Sequence, residues 1–243
     1  MTSWRELQER INSCPECKRV GSGLTLHCEQ PPARPPAPPA GSVLFISEAP
    51  PPQGGFWTKP SVKDDLREKL IDILHVFLQE QNLSPSGMRI DENLEKFVSM
   101  GLFLIQTIKW PLCHSARNLR PAERKLIEHS IISHLVPELA LIRPSAIVSL
   151  GKVACYACGC MFSECGFSFD QSQKLEAVRG KRFMVKMGDC PDIPVYPTGL
   201  PVRQQQRRNN LPRIVQEIKD VLRRHWHTDR KSFGEIIPGA DGA

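Results

Sequence analysis

Glu48 stands at the abrupt end of a short apolar run, Val43-Leu-Phe-Ile-Ser-Glu-Ala-Pro50, and a Pro/Gly turn then delivers two aromatic rings, Phe56 and Trp57. Four apolar residues bounded by turn signals suit a strand covered on both faces. Pro50, Pro51 and Pro52 cannot continue a sheet, and Gly54-Gly55 lets the backbone turn sharply. A carboxylate and a pair of rings are thus set on a stiff loop at the carboxyl end of a strand, where open α/β sheets bind ligands. The alternative is a tight turn with a surface Glu and two core aromatics.

Thiols are the second chemical resource. The chain has nine cysteines in 243 residues, among them Cys14-Pro-Glu-Cys17 and a second group, Cys155, Cys158, Cys160 and Cys165. No apolar run approaches the roughly 20 residues of a membrane span, and the N-terminus lacks the apolar core of a signal peptide. The expectation is a cytoplasmic, monomeric protein with no membrane partner. In that compartment cysteines serve as thiols or metal ligands rather than disulfides. Cys155 and Cys158 fall on a helix, where they read as small buried hydrophobes. His75 and His134 lie on apolar helices and read as structural.

The formal charge of +6 is unevenly placed. Arg203-Gln-Gln-Gln-Arg-Arg208, followed by Arg213, Lys219, Arg223, Arg224, Arg230 and Lys231, makes the C-terminal quarter basic. A basic face near a ligand loop fits a phosphate-backbone partner. A solvated helix face explains the later charges equally well.

The elements that must position these groups follow from periodicity and turn signals. Residues 1–28 hold a short helix and three cysteines, and residues 29–41 are a polyproline linker. The main domain spans 42–227, and the Gly-rich, charged residues 228–243 are expected to be a disordered tail. Ser61-Val-Lys-Asp64 resembles a capping box before Leu66, Leu70, Ile73, Leu74 and Phe77, which recur at helical spacing. Gly101–Gln106 and Ser145–Leu150 read as buried strands. Pro121 opens a helical pattern that Pro137 should kink or interrupt. Phe183–Lys186 and Ile193–Tyr196 predict a fourth strand, or a hairpin plus a strand, before a final helix from Leu211 to Trp226. Strands alternating with helices predict a three-layer α-β-α sandwich around a central, mostly parallel four-stranded sheet.

In order and spacing, these features resemble the uracil-DNA glycosylase superfamily, nearest to its family 4 and the related iron–sulfur branches. The resemblance rests on the strand ending in Glu48-Ala-Pro50, and on Gln106-Thr-Ile-Lys109 with Pro111 and Arg117-Asn118. It also rests on Leu139-Ala-Leu-Ile-Arg-Pro-Ser-Ala-Ile-Val-Ser-Leu-Gly151 and on Tyr196-Pro-Thr-Gly-Leu-Pro201 before a basic helix. It covers roughly residues 10–225 and implies excision of a deaminated base from DNA. A base must be flipped out and held in a pocket before its bond to the sugar can break. By resemblance Glu48 orients water, and backbone groups near Ala49 and Pro50 line the pocket. Phe56, or alternatively Trp57, stacks on the base, and Gln106 reads its edge where the family has Asn. Thr198-Gly199-Leu200-Pro201 enters the minor groove, with Arg203 and Arg207 on phosphates.

The sequence departs from the family at two reacting positions. Leu200-Pro201 replaces the usual His-Pro, and Ala49 replaces an acidic residue of other branches. The competing expectation is therefore a non-catalytic nucleic-acid or partner-binding protein that keeps the fold. The resemblance also implies a [4Fe–4S] cluster, which takes four thiolates. Cys14 and Cys17 match its first pair. The third ligand would fall near Lys109-Trp110, where the nearest thiol is Cys113. The fourth would fall near Ile131-Ile132, where no cysteine stands and His129 is the nearest substitute. A zinc or vestigial site is the alternative.

Overall fold

The computed structural model describes residues 2–18, 34–51, 55–58, 62–82, 94–112, 118–188, 191–202 and 210–226. Five strands form its sheet: β1 (Val43–Ser47), β2 (Leu102–Gln106), β3 (Ala146–Leu150), β4 (Phe183–Val185) and β5 (Ile193–Thr198). Their spatial order is β2-β1-β3-β5-β4. β1, β2, β3 and β5 run parallel, and β4 pairs antiparallel with β5 at one edge. Every residue of β1, β3 and β5 is buried, as apolar runs in a sheet covered on both faces require. The α/β architecture is as expected, but the sheet has five strands rather than four. The hairpin alternative holds because Phe183–Val185 is a three-residue strand whose pairing partner, not its composition, defines it.

The helices are α1 (Trp4–Ser13), α2 (Pro15–Lys18), α3 (Asp65–Glu80), α4 (Leu94–Ser99), α5 (Pro121–Ser130), α6 (Val136–Ile142), α7 (Gly151–Phe162) and α8 (Leu211–His225). α3 packs with α8 and α5 with α7, while α7 and α8 each also reach β3 and β5. Local capping explains the helix starts. Ser3 and Glu6 form a reciprocal capping box on α1. Asp64, not Ser61, caps α3, its carboxylate accepting the Arg67 backbone N–H at 2.7 Å. Ser61 lies outside the described residues. Of the Pro-rich stretch, residues 34–41 are described, and the Pro35 carbonyl accepts the Trp4 indole N–H at 3.3 Å. The remainder of that stretch and the C-terminal tail lie outside the described residues.

The segment through Pro137 is the least regular helix. α5 passes into a π-helical turn, Ile131–Leu135, before α6 resumes, and the Val136 N–H bonds the Ile131 carbonyl five residues back. Pro137 has no N–H to give the Ser133 carbonyl, and its ring crowds that position. The Arg10 guanidinium of α1 donates to this carbonyl instead, at 3.4 Å. The interruption expected at Pro137 thus takes the form of a widened turn. Among the described residues, no helix is long and apolar enough to cross a membrane.

Candidate functional site

The carboxyl ends of β1, β2, β3 and β5 open into one cleft of about 510 Å³, lined among others by Glu48, Ala49, Phe56, Gln106, Gly199 and Leu200. It lies at the switch point of the sheet, where β1 leads outward to β2 on one side and lies against β3 on the other. Backbone pairing of β1 with β2 runs past the strand ends. The Thr107 N–H donates to the Ser47 carbonyl and the Ile108 N–H to the Glu48 carbonyl, both at 2.8 Å. Glu48 and Gln106 are held on neighbouring strand ends by this extra rung rather than by a loose loop.

The two rings of the Pro/Gly turn have different fates. Phe56 lines the cleft while packing against Trp57 and Phe97, with centroids 5.0 and 5.1 Å away. Trp57 is a core residue: its indole N–H donates to the Leu104 carbonyl at 3.0 Å and its ring lies on Phe103. Of the two rings, Phe56 borders the cleft and Trp57 does not, although both are buried. Arg67, on the first turn of α3, clamps this loop by donating to the carbonyls of Phe56 (3.2 Å) and Thr58 (2.9 Å). Gly55 has φ +85, and a Cβ there would lie 2.9 Å from the Pro50 Cβ, so the turn needs glycine. Pro50 itself is buried beneath the loop, and Pro51 lines the cleft in its place.

On the opposite wall Leu200 is partly exposed and lines the cleft, whereas Thr198 and Pro201 are buried and do not. Thr198 faces a separate cavity of about 70 Å³, and its hydroxyl donates to the Glu217 carboxylate. Arg179 Nε donates to both oxygens of the same carboxylate at 3.0 Å, and Arg213 Nε donates to one of them at 3.0 Å. A Cβ on Gly199 would stand 2.6 Å from Ile214 Cδ1, so any larger residue there would require the Ile214 side chain to shift. Asp64, Asp65, Glu176, Lys152 and Arg179 also line the cleft. Burial pushes the Asp64 carboxyl up, against the opposing pull of its bond to the Arg67 N–H. The cleft thus holds carboxylates besides Glu48, which the strand-end motif alone did not reveal. Arg203 and Arg207 lie outside the described residues. The later basic residues of α8 have acidic partners: Lys219 and Arg223 pair with Glu80, and Arg223 also with Asp220. The solvated-face reading fits Arg223, which is exposed, but not Lys219, which is buried.

A second group stands just beyond the carboxyl end of β2, where Trp110 packs on Cys14 and Cys17. The ligand-capable atoms of Cys14, Cys17, His129 and His134 all lie within 4.8 Å of one another, so these residues form a possible metal-binding group. Cys14 Sγ is 3.2 Å from His129 Nε2, and Cys17 Sγ is 3.3 Å from His134 Nε2. Cys14 caps the end of α1 and Pro15 opens α2, which turns the two thiols the same way. The histidines are five residues apart, which in an α-helix places them about 140° apart around the axis. The π-helical turn between them widens the helix and brings both rings to one side, 5.6 Å apart. His134 is therefore corrected from a structural residue to a member of the group. Trp110 covers the thiols, and its indole N–H donates to the Ile11 carbonyl at 3.4 Å.

The electrostatics of this corner are those of buried donors. Burial, followed by the neighbouring Cys14, raises the Cys17 thiol well above its usual range. Burial, followed by the Lys109 ammonium, pushes His134 down to about 3. Lys109 forms a buried ion pair with Glu138 and donates to the Gln106 carbonyl at 2.5 Å. The position where a third cluster ligand was expected thus carries an ammonium committed to a carboxylate. Cys113 lies outside the described residues. Among the described residues no four-thiolate set is assembled. Cys155 and Cys158 are buried in α7 as expected, apart from this group. Comparison with protein-family models and with curated proteins returns no match for this chain.

Proposed function

We propose that the chain is a DNA-base glycosylase that hydrolyses the N-glycosidic bond of uracil or another deaminated base. The observation that carries this reading is the convergence of Glu48, Gln106, Phe56 and Leu200 on one cleft at the carboxyl ends of the parallel strands. A cavity of about 510 Å³ suits a single flipped nucleotide. Phe56, 1% exposed, lines the cleft, and a base brought onto its ring would gain roughly 1–3 kcal/mol from stacking. The Gln106 amide can donate to a base carbonyl and accept from the adjacent N–H. Breaking the bond sends its electron pair to the departing base and leaves positive charge on the sugar. Glu48 stabilises that charge and orients the water that adds to the sugar carbon. The water gives up a proton, and the base anion takes one up. Leu200 fills the position of an apolar wedge between base steps.

The alternative, a nucleic-acid-binding protein without the chemistry, is favoured by Ala49 and Leu200, which replace two polar positions of the family. Excision assays on single- and double-stranded oligonucleotides carrying uracil, hypoxanthine or xanthine separate the two. Release of any of these bases supports the glycosylase, and binding without release supports the alternative.

A further inference from the structure

We infer that Cys14, Cys17, His129 and His134 bind one tetrahedral divalent ion of the zinc class, in disagreement with the four-thiolate iron–sulfur cluster that the resemblance implies. This inference stands apart from the glycosylase reading and survives its failure.

Spacing is the first argument. Ligands at the usual zinc–sulfur and zinc–nitrogen lengths, at the corners of a tetrahedron, are about 3.3–3.8 Å from one another. The two thiol–imidazole pairs stand at 3.2 and 3.3 Å, and all four donors within 4.8 Å. A cubane spreads its ligands over four separate irons and holds them further apart than one ion does. A two-iron cluster with two thiolates on one iron and two imidazoles on the other fails for the same reason. It would segregate sulfur from nitrogen, whereas here each sulfur lies beside a nitrogen.

Donor chemistry is the second. Two thiolates and two imidazoles are a common set of closed structural zinc sites. Two thiolates against a divalent ion leave a centre of no net charge, which burial tolerates. Lys109 needs no part in that balance, because Glu138 already neutralises it. The third argument is closure. Cys17 and His134 are each 1% exposed, Cys14 is 8% exposed, and Trp110 covers the thiols. His129 is partly exposed, but four protein donors fill the positions of a tetrahedral ion and leave none for substrate, so the ion's task is to hold parts together. Those parts are the α1–α2 segment, which brings both cysteines, and the π-helical turn, which brings both histidines. Sequence separations of 115 and 117 residues are closed by the two contacts.

The test uses the full chain, purified from medium holding both iron and zinc, with metal and acid-labile sulfide measured per chain. One zinc per chain, no sulfide and a colourless protein are expected. Exchange with Co2+ should give tetrahedral ligand-field bands with thiolate charge transfer. Zinc affinity, read by competition with a chromophoric chelator, should fall on the order of 10²-fold or more in Cys17→Ser and in His134→Ala. That floor follows because loss of a residue that only orients a ligand already costs 10–100-fold. His129→Cys should keep the ion, since three thiolates and one imidazole remain a zinc set. Cys155→Ala, which removes a buried thiol outside the group, should keep it too. Stoichiometric iron with sulfide would overturn the inference. So would failure of the parent chain to take up zinc, or unchanged affinity in both Cys17→Ser and His134→Ala. Should those two variants prove unfolded, the parent's metal content and Co2+ spectrum decide the matter alone.

Discussion

Lys109→Met should destabilise this protein more than an ordinary surface-charge deletion, because it strands a carboxylate in the core. Lys109 and Glu138 have side chains 5% and 3% exposed and pair only a few residues from both the cleft and the thiols. Removing one partner of such a pair costs about 3–5 kcal/mol, most of it the penalty of an unpaired buried charge. At about 2–4 °C per kcal/mol for a chain of this size, the midpoint should fall by about 6–20 °C. Removing both charges in Lys109→Met/Glu138→Leu should recover about half of that loss. The remaining deficit reflects the lost bond to the Gln106 carbonyl, about 1.5–3 kcal/mol for a charged donor. The sign with pH is also fixed. Burial already raises the Glu138 carboxyl, with Lys109 opposing, so the ammonium's loss raises it further. A carboxyl raised above its unfolded value of 4.5 favours the folded state when protonated. The deficit of Lys109→Met relative to the parent should therefore be largest above neutral pH and shrink as pH falls toward 4.5. Urea unfolding of the parent, the two single variants and the double variant at pH 8 and pH 5 measures all of this. A Lys109→Met protein within about 1 kcal/mol of the parent at pH 8 would refute the reasoning, as would a deficit that grows on acidification.

Three further outcomes are expected of the cleft. Glu48→Gln keeps the side chain's shape and removes its charge, so excision should slow on the order of 10²-fold with DNA binding retained; an unchanged single-turnover rate would remove Glu48 from the chemistry. Gln106→Asn should shift preference toward uracil and Gln106→Ala should weaken excision of uracil and hypoxanthine alike, checked by competing substrates in one reaction. DNA affinity should fall steeply with salt, and Arg203→Ala or Arg207→Ala should each flatten the log–log slope by about one unit. A salt-insensitive complex would exclude a phosphate-contacting role for that segment.

Much of the framework was legible because its signals are local. Val43–Ile46, Leu102–Ile105 and Ala146–Leu150 are apolar runs that any covered parallel strand must have, and where each run stops fixes Glu48, Gln106 and Gly151 at a strand end. α8 declares itself by Ile214, Ile218, Val221 and Leu222, all buried on one face. What the sequence left open were choices settled by distant partners. Phe56 and Trp57 are neighbours of similar character and both are buried, but Trp57 is tied to the Leu104 carbonyl, 47 residues away, while Phe56 borders the cleft. The three residues of β4 become a strand only because β5 lies alongside them. His134 reads as structural from its apolar helix, and a spacing of five would set it apart from His129 on an α-helix. The available signal was Pro137 just beyond the pair, since a proline there forces the preceding turn to rearrange. Its rearrangement into a π-helical turn that faces both rings toward Cys14 and Cys17 depends on α1 packing nearby and on Arg10 taking up the Ser133 carbonyl. Backbone hydrogen bonding is local enough to be read along the chain. The partner that satisfies a freed carbonyl or a buried donor is chosen by packing, and packing exists only once the chain has folded.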